Sequence, residues 1–241
     1  MTVPPPASPA PAASAVVSVA FCPCPPLMLP AVEGRPAPET DALRRACADA
    51  VAAMLAAGPR RVVVVGDGSE PRARFGAGDR GDLRGFGADL EVAFAGPVRS
   101  GGHRVPPAYA VGAWLLDAVG FRGARVGAGP GSLAEVLADG SGPTGLLVMA
   151  DGSARRTLKA PGYLDPAAEP FDRLVVTALE SADTAALAAL DVEEGDRLLA
   201  AGTATWQATG GALAGRSFTA RLRYAEAPFG VGYVVADWSA A

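Results

Sequence analysis

The stretch "RRVVVVGDG", residues 60–68, constrains this chain most. Its consecutive valines are β-branched and favour a strand over a helix. They do not alternate with polar residues, so both faces of that strand must be covered. A parallel sheet with helices on both sides meets that requirement.

The rest of the chain repeats the same logic. Val16–Cys22, "ARVGAG" (124–129) and "TGLLVMADGS" (144–153) are further short apolar runs that read as strands. Between them lie helical patterns. Residues 39–57 place Leu43, Cys47, Val51, Met54 and Leu55 on one face, and Gly58-Pro59 stops the helix. "PPAYAVGAWLLDAVG" (106–120) starts with proline and ends at Gly120, and "SLAEVLAD" (132–139) is a short helix. Residues 166–201 read as mostly helical, with breaks near Ala182 and Glu194. Pro25, Pro26 and Pro30 exclude a helix directly after the first strand. "LEVAFAG" (90–96) reads as a strand, residues 66–87 as a loop, and residues 218–238 as two closing strands around a turn.

This alternation predicts an α/β three-layer sandwich: a mainly parallel or mixed central sheet with helices on both faces. "TGLLVMADGS" is expected at the sheet centre. Residues 16–241 are expected to form one domain. Residues 1–15 are rich in Pro, Ala and Ser without hydrophobic periodicity and read as a disordered lead. No Lys or Arg precedes Arg35, so the basic region of a signal peptide is missing. No apolar run approaches the length that crosses a bilayer. The cytoplasm follows by default.

The net charge of −4 argues against a nucleic-acid binder, which carries a basic field. The cysteine count of 3 is odd and too low for a disulfide framework, so reduced thiols are expected.

Open α/β sheets bind ligands outside the C-terminal ends of their strands. Three strand ends carry chemistry here: Cys22-Pro23-Cys24-Pro25-Pro26, Gly66-Asp67-Gly68-Ser69, and Asp151-Gly152-Ser153-Ala154-Arg155-Arg156. They are expected to surround one crevice. In the third, Asp151, Ser153 and Arg155 are the candidate catalytic groups. Gly66, Asp67, Gly68, Ser69, Arg156 and Lys159 are the candidate substrate-binding residues. A cationic crevice mouth suits a carboxylate ligand through the guanidinium fork, whereas solvent-facing arginines would do nothing. Ser153 as a nucleophile needs a base, and only His103 would serve.

The order of "CPCPPLMLP", "VVVVGDG", "VMADGSA" and "GVGYVVA" resembles the class III extradiol ring-cleavage dioxygenase superfamily, in particular single-domain actinobacterial proteins similar to its catalytic B subunit. The resemblance covers roughly residues 16–238. It implies a non-haem Fe(II) held by two histidines and a carboxylate, with a further histidine as acid/base. Carried over residue by residue, that set is missing. Cys24 stands where the first histidine is expected. No histidine occurs near Gly66–Gly68. Ala154 replaces the acid/base histidine, and Glu226 is a loose match for the carboxylate. The one histidine, His103 in "RSGGHRVPP", matches no motif position. A two-histidine iron site cannot be built from it within one chain.

No metal and no cofactor are therefore expected; Fe(II) or another divalent ion is the alternative, through Cys22, Cys24, His103 and Glu226. Cys22 and Cys24 read either as small, buried, inert residues or as a soft-metal or thiolate pair acting with Cys47 or His103. A single residue between two thiols suits a metal grip less well than the usual two.

Other features have ordinary readings. "GAGPGSLAE" lacks the lysine of a phosphate loop, and Ser132 with Glu135 reads as a capping box. Arg72, Arg74 and Arg80 either clamp an anion or pair with Asp67, Glu70, Asp79 and Asp82. Trp114 and Leu115 read as core. Trp206, Phe218, Tyr224, Phe229, Tyr233 and Trp238 supply core, an aromatic pocket or a homo-oligomer face.

The functional expectation is a divergent member of the superfamily that binds a small aromatic or acidic molecule without normal ring cleavage. The alternative is an enzyme with altered chemistry on the same frame, metal-dependent or metal-free. No nucleic acid and no membrane partner are expected.

Overall fold

The computed structural model describes residues 15–68, 70–94, 102–140 and 142–241. Of the expected lead, residues 1–14 lie outside the described residues, and Ala15 already begins a strand.

The strands are β1 (Ala15–Cys22), β2 (Arg61–Gly66), β3 (Arg74–Phe75), β4 (Arg80–Asp82), β5 (Glu91–Ala93), β6 (Ala124–Ala128), β7 (Pro143–Met149), β8 (Phe218–Glu226) and β9 (Tyr233–Ala240). The helices are α1 (Pro30–Glu33), α2 (Pro38–Ala56), α3 (Pro107–Ala118), α4 (Leu133–Ala138), α5 (Ala168–Glu180), α6 (Thr184–Ala188), α7 (Val192–Arg197) and α8 (Thr203–Ala212). Among the described residues, one sheet of 7 strands runs in the order β3-β6-β2-β7-β1-β9-β8, and β4 pairs with β5 in a separate ribbon. β6, β2, β7 and β1 are mutually parallel, while at the flanks β3 pairs antiparallel with β6, β9 with β1, and β8 with β9. The sheet is mixed, the class is α/β, and β7 lies at its centre as the sequence predicts.

The valine run shows why both faces are covered. Side chains alternate along a strand. Val62 and Val64 enter the core formed with α2 and α3, with Leu43, Val51, Val111 and Leu115. Val63 and Val65 enter the opposite core, with Phe171 and Val175 of α5, Leu187 of α6 and Trp206 of α8. All four valines are fully buried. Trp206 and Trp238 are also core: Trp238 stacks edge-on against Phe21 at 4.7 Å and donates its indole N–H to the Leu179 carbonyl at 2.7 Å. Trp114 packs partly buried against the first core.

Several local expectations are corrected. Pro26 and Pro30 do not exclude helix after β1. They open a 3-10 turn, Pro26–Met28, and the short α1, because proline's missing N–H is unneeded in a first turn. The 66–87 loop contains β3 and β4. Among the described residues of "LEVAFAG" the strand is Glu91–Ala93, and it joins the ribbon, not the main sheet; residues 95–96 lie outside the described residues. The break at Ala182 is present, with φ 53°, but α7 runs through Glu194 and the break falls before Asp191, its N-cap. Helix α8 carries little sequence signal: Thr and Gly, both weak helix formers, fill half of its positions. The Ser132–Glu135 capping box does not form. Ser132 ends a 3-10 turn in already helical backbone, and its hydroxyl donates to the Ala73 carbonyl at 2.8 Å. Glu135 pairs instead with Arg72 and Arg74.

No helix among the described residues is long and apolar enough to cross a membrane.

Candidate functional site

Parallel strands that share a register end together. Met149 of β7 pairs with both Cys22 of β1 and Gly66 of β2, so three C-termini meet at one point. Tyr109 of α3 pins this edge from one side: its hydroxyl bonds the carbonyls of Gly66 and Ala128. Just beyond the strand ends lies a cleft of ≈ 270 Å³. Cys24, Asp67, Gly68 and Asp151 line it, with Pro26, Phe86, Pro107, Ala108, Met149 and Ala201 supplying apolar walls. Of the expected convergence of Cys24, Gly66–Ser69 and Asp151–Arg156, the cleft brings together Cys24, Asp67, Gly68 and Asp151, with Gly66 not among the lining residues. Ser69 lies outside the described residues.

Asp151 is the chemical centre of the cleft. It stands half-buried, and its Oδ1 accepts the Cys24 backbone N–H at 2.8 Å. Burial pushes the Asp151 carboxyl up to about 6, against the lowering effect of its bonds from Cys24. The same burial, with Asp151 and Asp67 close by, pushes the Cys24 thiol well above its usual value. Cys24 is therefore a protonated thiol at neutral pH, not a thiolate nucleophile. Cys47 is likewise raised by burial, and both Cys22 and Cys47 sit in the first core.

The remainder of the Asp151–Arg156 segment turns away from the cleft. Gly152 donates to the Gly232 carbonyl at 2.7 Å, Gly232 donates back to Ser153 at 2.9 Å, and Gly202 donates to Asp151 at 2.8 Å. The segment is thereby zipped between the 198–202 stretch and the turn before β9. Ser153 is fully buried; its hydroxyl donates to the Leu198 carbonyl at 2.7 Å and accepts the Arg155 N–H at 3.1 Å. This is a structural bonding pattern: among the described residues the hydroxyl meets backbone groups, and Asp172 bonds the Ser153 N–H instead. The Arg155 Nε is buried without a hydrogen-bond partner. Arg156 donates to Asp172 of α5 at 2.9 Å and lines a separate pocket of ≈ 360 Å³ with Glu226 and Tyr233. Lys159 lines another surface depression, beside Leu158 and Phe229. The basic mouth expected from Arg155, Arg156 and Lys159 is not formed at this cleft.

His103 lies elsewhere again. Its side chain is 81% exposed, with Nδ1 3.3 Å from Asp79, in a depression shared with Arg72 and Arg74. Arg72, Arg74 and Arg80 bond to Glu135, Asp139 and Glu91, acids outside their own loop. Cys24, His103 and Glu226 therefore line three different pockets and do not fit the two-histidine, one-carboxylate iron site that the resemblance implies. Among the described residues, no group of three or more His, Cys, Asp or Glu side chains is placed to hold a metal ion.

Sequence reasoning missed two parts of this region. The apolar wall from Phe86, Pro107, Ala108 and Ala201 comes from segments distant in sequence that only the fold assembles. Asp172, the partner of Ser153 and Arg156, had a visible signal: an acid between Phe171 and Val175 on the apolar stripe of α5.

No family model matches the chain, and no curated protein matches it.

Proposed function

We propose that the protein binds a small aromatic molecule in the cleft at the C-terminal ends of β1, β2 and β7, on a frame related to the extradiol dioxygenases, and leaves the ring uncleaved. One observation carries this reading. Cys24 and Asp151 are bonded to each other inside an apolar-walled cleft, while the chain's one histidine stands in a different depression. Strand C-termini are where open α/β sheets take ligands. A cavity of about 150 Å³ already accepts benzene, so ≈ 270 Å³ suits one ring with a short substituent. The acidic ligand loses its basis, because among the described residues the cleft wall carries Asp67 and Asp151 and no Lys or Arg.

An enzyme with altered, metal-free chemistry is the second reading. Its support is Asp151 alone, since a carboxyl raised to about 6 in a cleft is suited to proton transfer near neutrality.

Two measurements test the first reading. Titration with single-ring aromatics, followed by amide chemical shifts, should perturb Cys24, Gly68 and Ala201, and Ala201→Phe should block the perturbation. Oxygen uptake with a catechol and added Fe(II) should stay at the protein-free rate. Oxygen-dependent ring cleavage with stoichiometric iron would overturn it.

A further inference from the structure

The acids of this protein follow a pattern with one exception. Among the described residues, each other buried or half-buried carboxylate has a basic side chain within 4.0 Å: Asp172 has Arg156, Asp237 has Arg223, Asp165 has Arg197, and Asp79 has His103. Glu33, Asp41, Asp82 and Glu194 are paired with arginines in the same way. Asp151 has none. Among the described residues its bonds come from Cys24 alone, which carries no positive charge. Asp67, across the cleft, accepts the Gly68 N–H at 2.7 Å.

From this exception we infer, building on the aromatic-binding reading, that the cleft is a site for a single-ring aryl-alkyl ammonium, whose positive charge supplies the partner that Asp151 lacks. A half-buried carboxylate without a cation is costly, and a fold that pairs its other such acids has left this one facing a cavity. An ammonium donates charge-assisted hydrogen bonds to a carboxylate. Asp67 at the mouth adds negative potential that favours a cation and disfavours an anion. The body of the ligand meets Pro26, Pro107 and Met149, and the exposed Phe86 adds an aromatic side chain to the same lining. A cationic head with an apolar ring matches both halves of this lining; a carboxylate head would meet two like charges.

Three probes of the same size separate the possibilities: benzylammonium, benzyl alcohol and benzoate, each titrated calorimetrically and by amide shifts at pH 7.5 and low salt. Benzylammonium should bind at least about tenfold more tightly than benzyl alcohol, a difference of about 1.4 kcal/mol, and benzoate should bind weakest. Asp151→Asn keeps an oxygen acceptor for the Cys24 N–H while removing the charge. It should bring benzylammonium to within about twofold of benzyl alcohol measured in the same variant, with the amide shifts of Gly68 and Ala201 in the free variant reporting an intact cleft. Benzoate binding as well as benzylammonium, or a preference for benzylammonium that survives Asp151→Asn, would overturn the charge assignment and leave the aromatic reading standing. Binding of none of the three, or binding unaffected by Ala201→Phe, would overturn both.

Discussion

Asp151 Oδ1 accepts the Cys24 backbone N–H at 2.8 Å, a bond between residues 127 apart in sequence. It ties the second residue beyond β7 to the turn that follows β1. One carboxylate thus closes the two central strands and furnishes the polar wall of the cleft. Holding the chain and recognising a ligand make opposite demands on it: the structural bond needs only an acceptor, whereas recognition needs the charge. The first prediction separates the two.

Asp151 carries a folded-state value of about 6, raised from 3.8. The folded state therefore binds the proton more tightly than the unfolded chain. The resulting stability penalty is absent below about pH 4, grows as pH rises, and is complete above about pH 6. A shift of this size corresponds to at most roughly 3 kcal/mol, less in a half-exposed site. Asp151→Asn should raise the urea midpoint at pH 7.5 and leave it nearly unchanged at pH 4. Asp151→Ala removes the acceptor for the Cys24 N–H and should cost about 1–3 kcal/mol relative to Asp151→Asn at both pH values. Equal effects of Asp151→Asn at the two pH values would contradict the assignment.

Asp172 is the other carboxylate on which the loop depends. It accepts the Ser153 N–H at 2.8 Å and the Arg156 guanidinium at 2.9 Å, and two glycines make room for it. A Cβ on Gly232 would stand 2.1 Å from Asp172 Oδ2, and one on Gly152 would stand 2.7 Å from Oδ1. Gly152→Ala and Gly232→Ala should each destabilise the fold by about 1–3 kcal/mol through overpacking. Gly211→Ala, in α8 with open space at its Cβ, should stabilise by roughly 0.5–1 kcal/mol. Chemical denaturation of the three variants checks the contrast. Asp172→Ala, which strands Arg156, should cost about 3–5 kcal/mol.

These two aspartates show what the sequence made legible. The site's position could be read because it depends on strand order and direction, which follow from apolar runs such as Val62–Val65 and the helices between them. Asp67, Cys24 and Asp151 met as expected for that reason. The fate of each basic side chain could not be read. Arg156 and Ser153 follow Asp151 in the chain, yet a half-turn of backbone sends them to Asp172 and Leu198. That direction is set by α5 and by the turn before β9, which neither composition nor spacing encodes. The same limit hid α8, whose Thr and Gly residues become helical through packing beside α6. It also hid the cleft wall at Phe86 and Ala201, which loops far apart in sequence assemble.

The thiols offer a third prediction. Burial raises Cys24 and Cys47 well above the ordinary thiol range, and Cys22 and Cys47 are fully enclosed. Native protein at pH 7.5 should react with a disulfide reagent at one site only, Cys24, and far more slowly than a free thiol, while urea-unfolded protein should release all 3 thiols at once. An occupied cleft should slow the Cys24 reaction further. Rapid native labelling of Cys24 at neutral pH would show a thiolate there and contradict the protonated state.

The final prediction links protons to ligand. The ammonium reading requires an ionised Asp151, whose carboxyl in the free protein titrates at about 6. Benzylammonium affinity should be flat above about pH 7 and should fall toward tenfold per pH unit below about pH 5.5, as the proton competes for the same carboxylate. Benzyl alcohol should show no such slope. Among the described residues, the titratable groups around Asp151 are Cys24 after β1, Tyr233 on β9 and Cys47 on α2, with Asp67 after β2 lining the same cleft. Cys24, Cys47 and Tyr233 are all raised by burial and stay protonated across this range. Asp67 is isolated by repeating the series in Asp67→Asn, where the slope should persist at a lower overall affinity. Near pH 6 about half of the free protein holds the proton on Asp151, and the incoming ammonium must release it. Calorimetric heats measured there should therefore depend on the ionisation enthalpy of the buffer, whereas those at pH 8 should not. Buffer-independent heats at pH 6, or a slope that survives Asp151→Asn, would place the proton and the ligand charge on different groups.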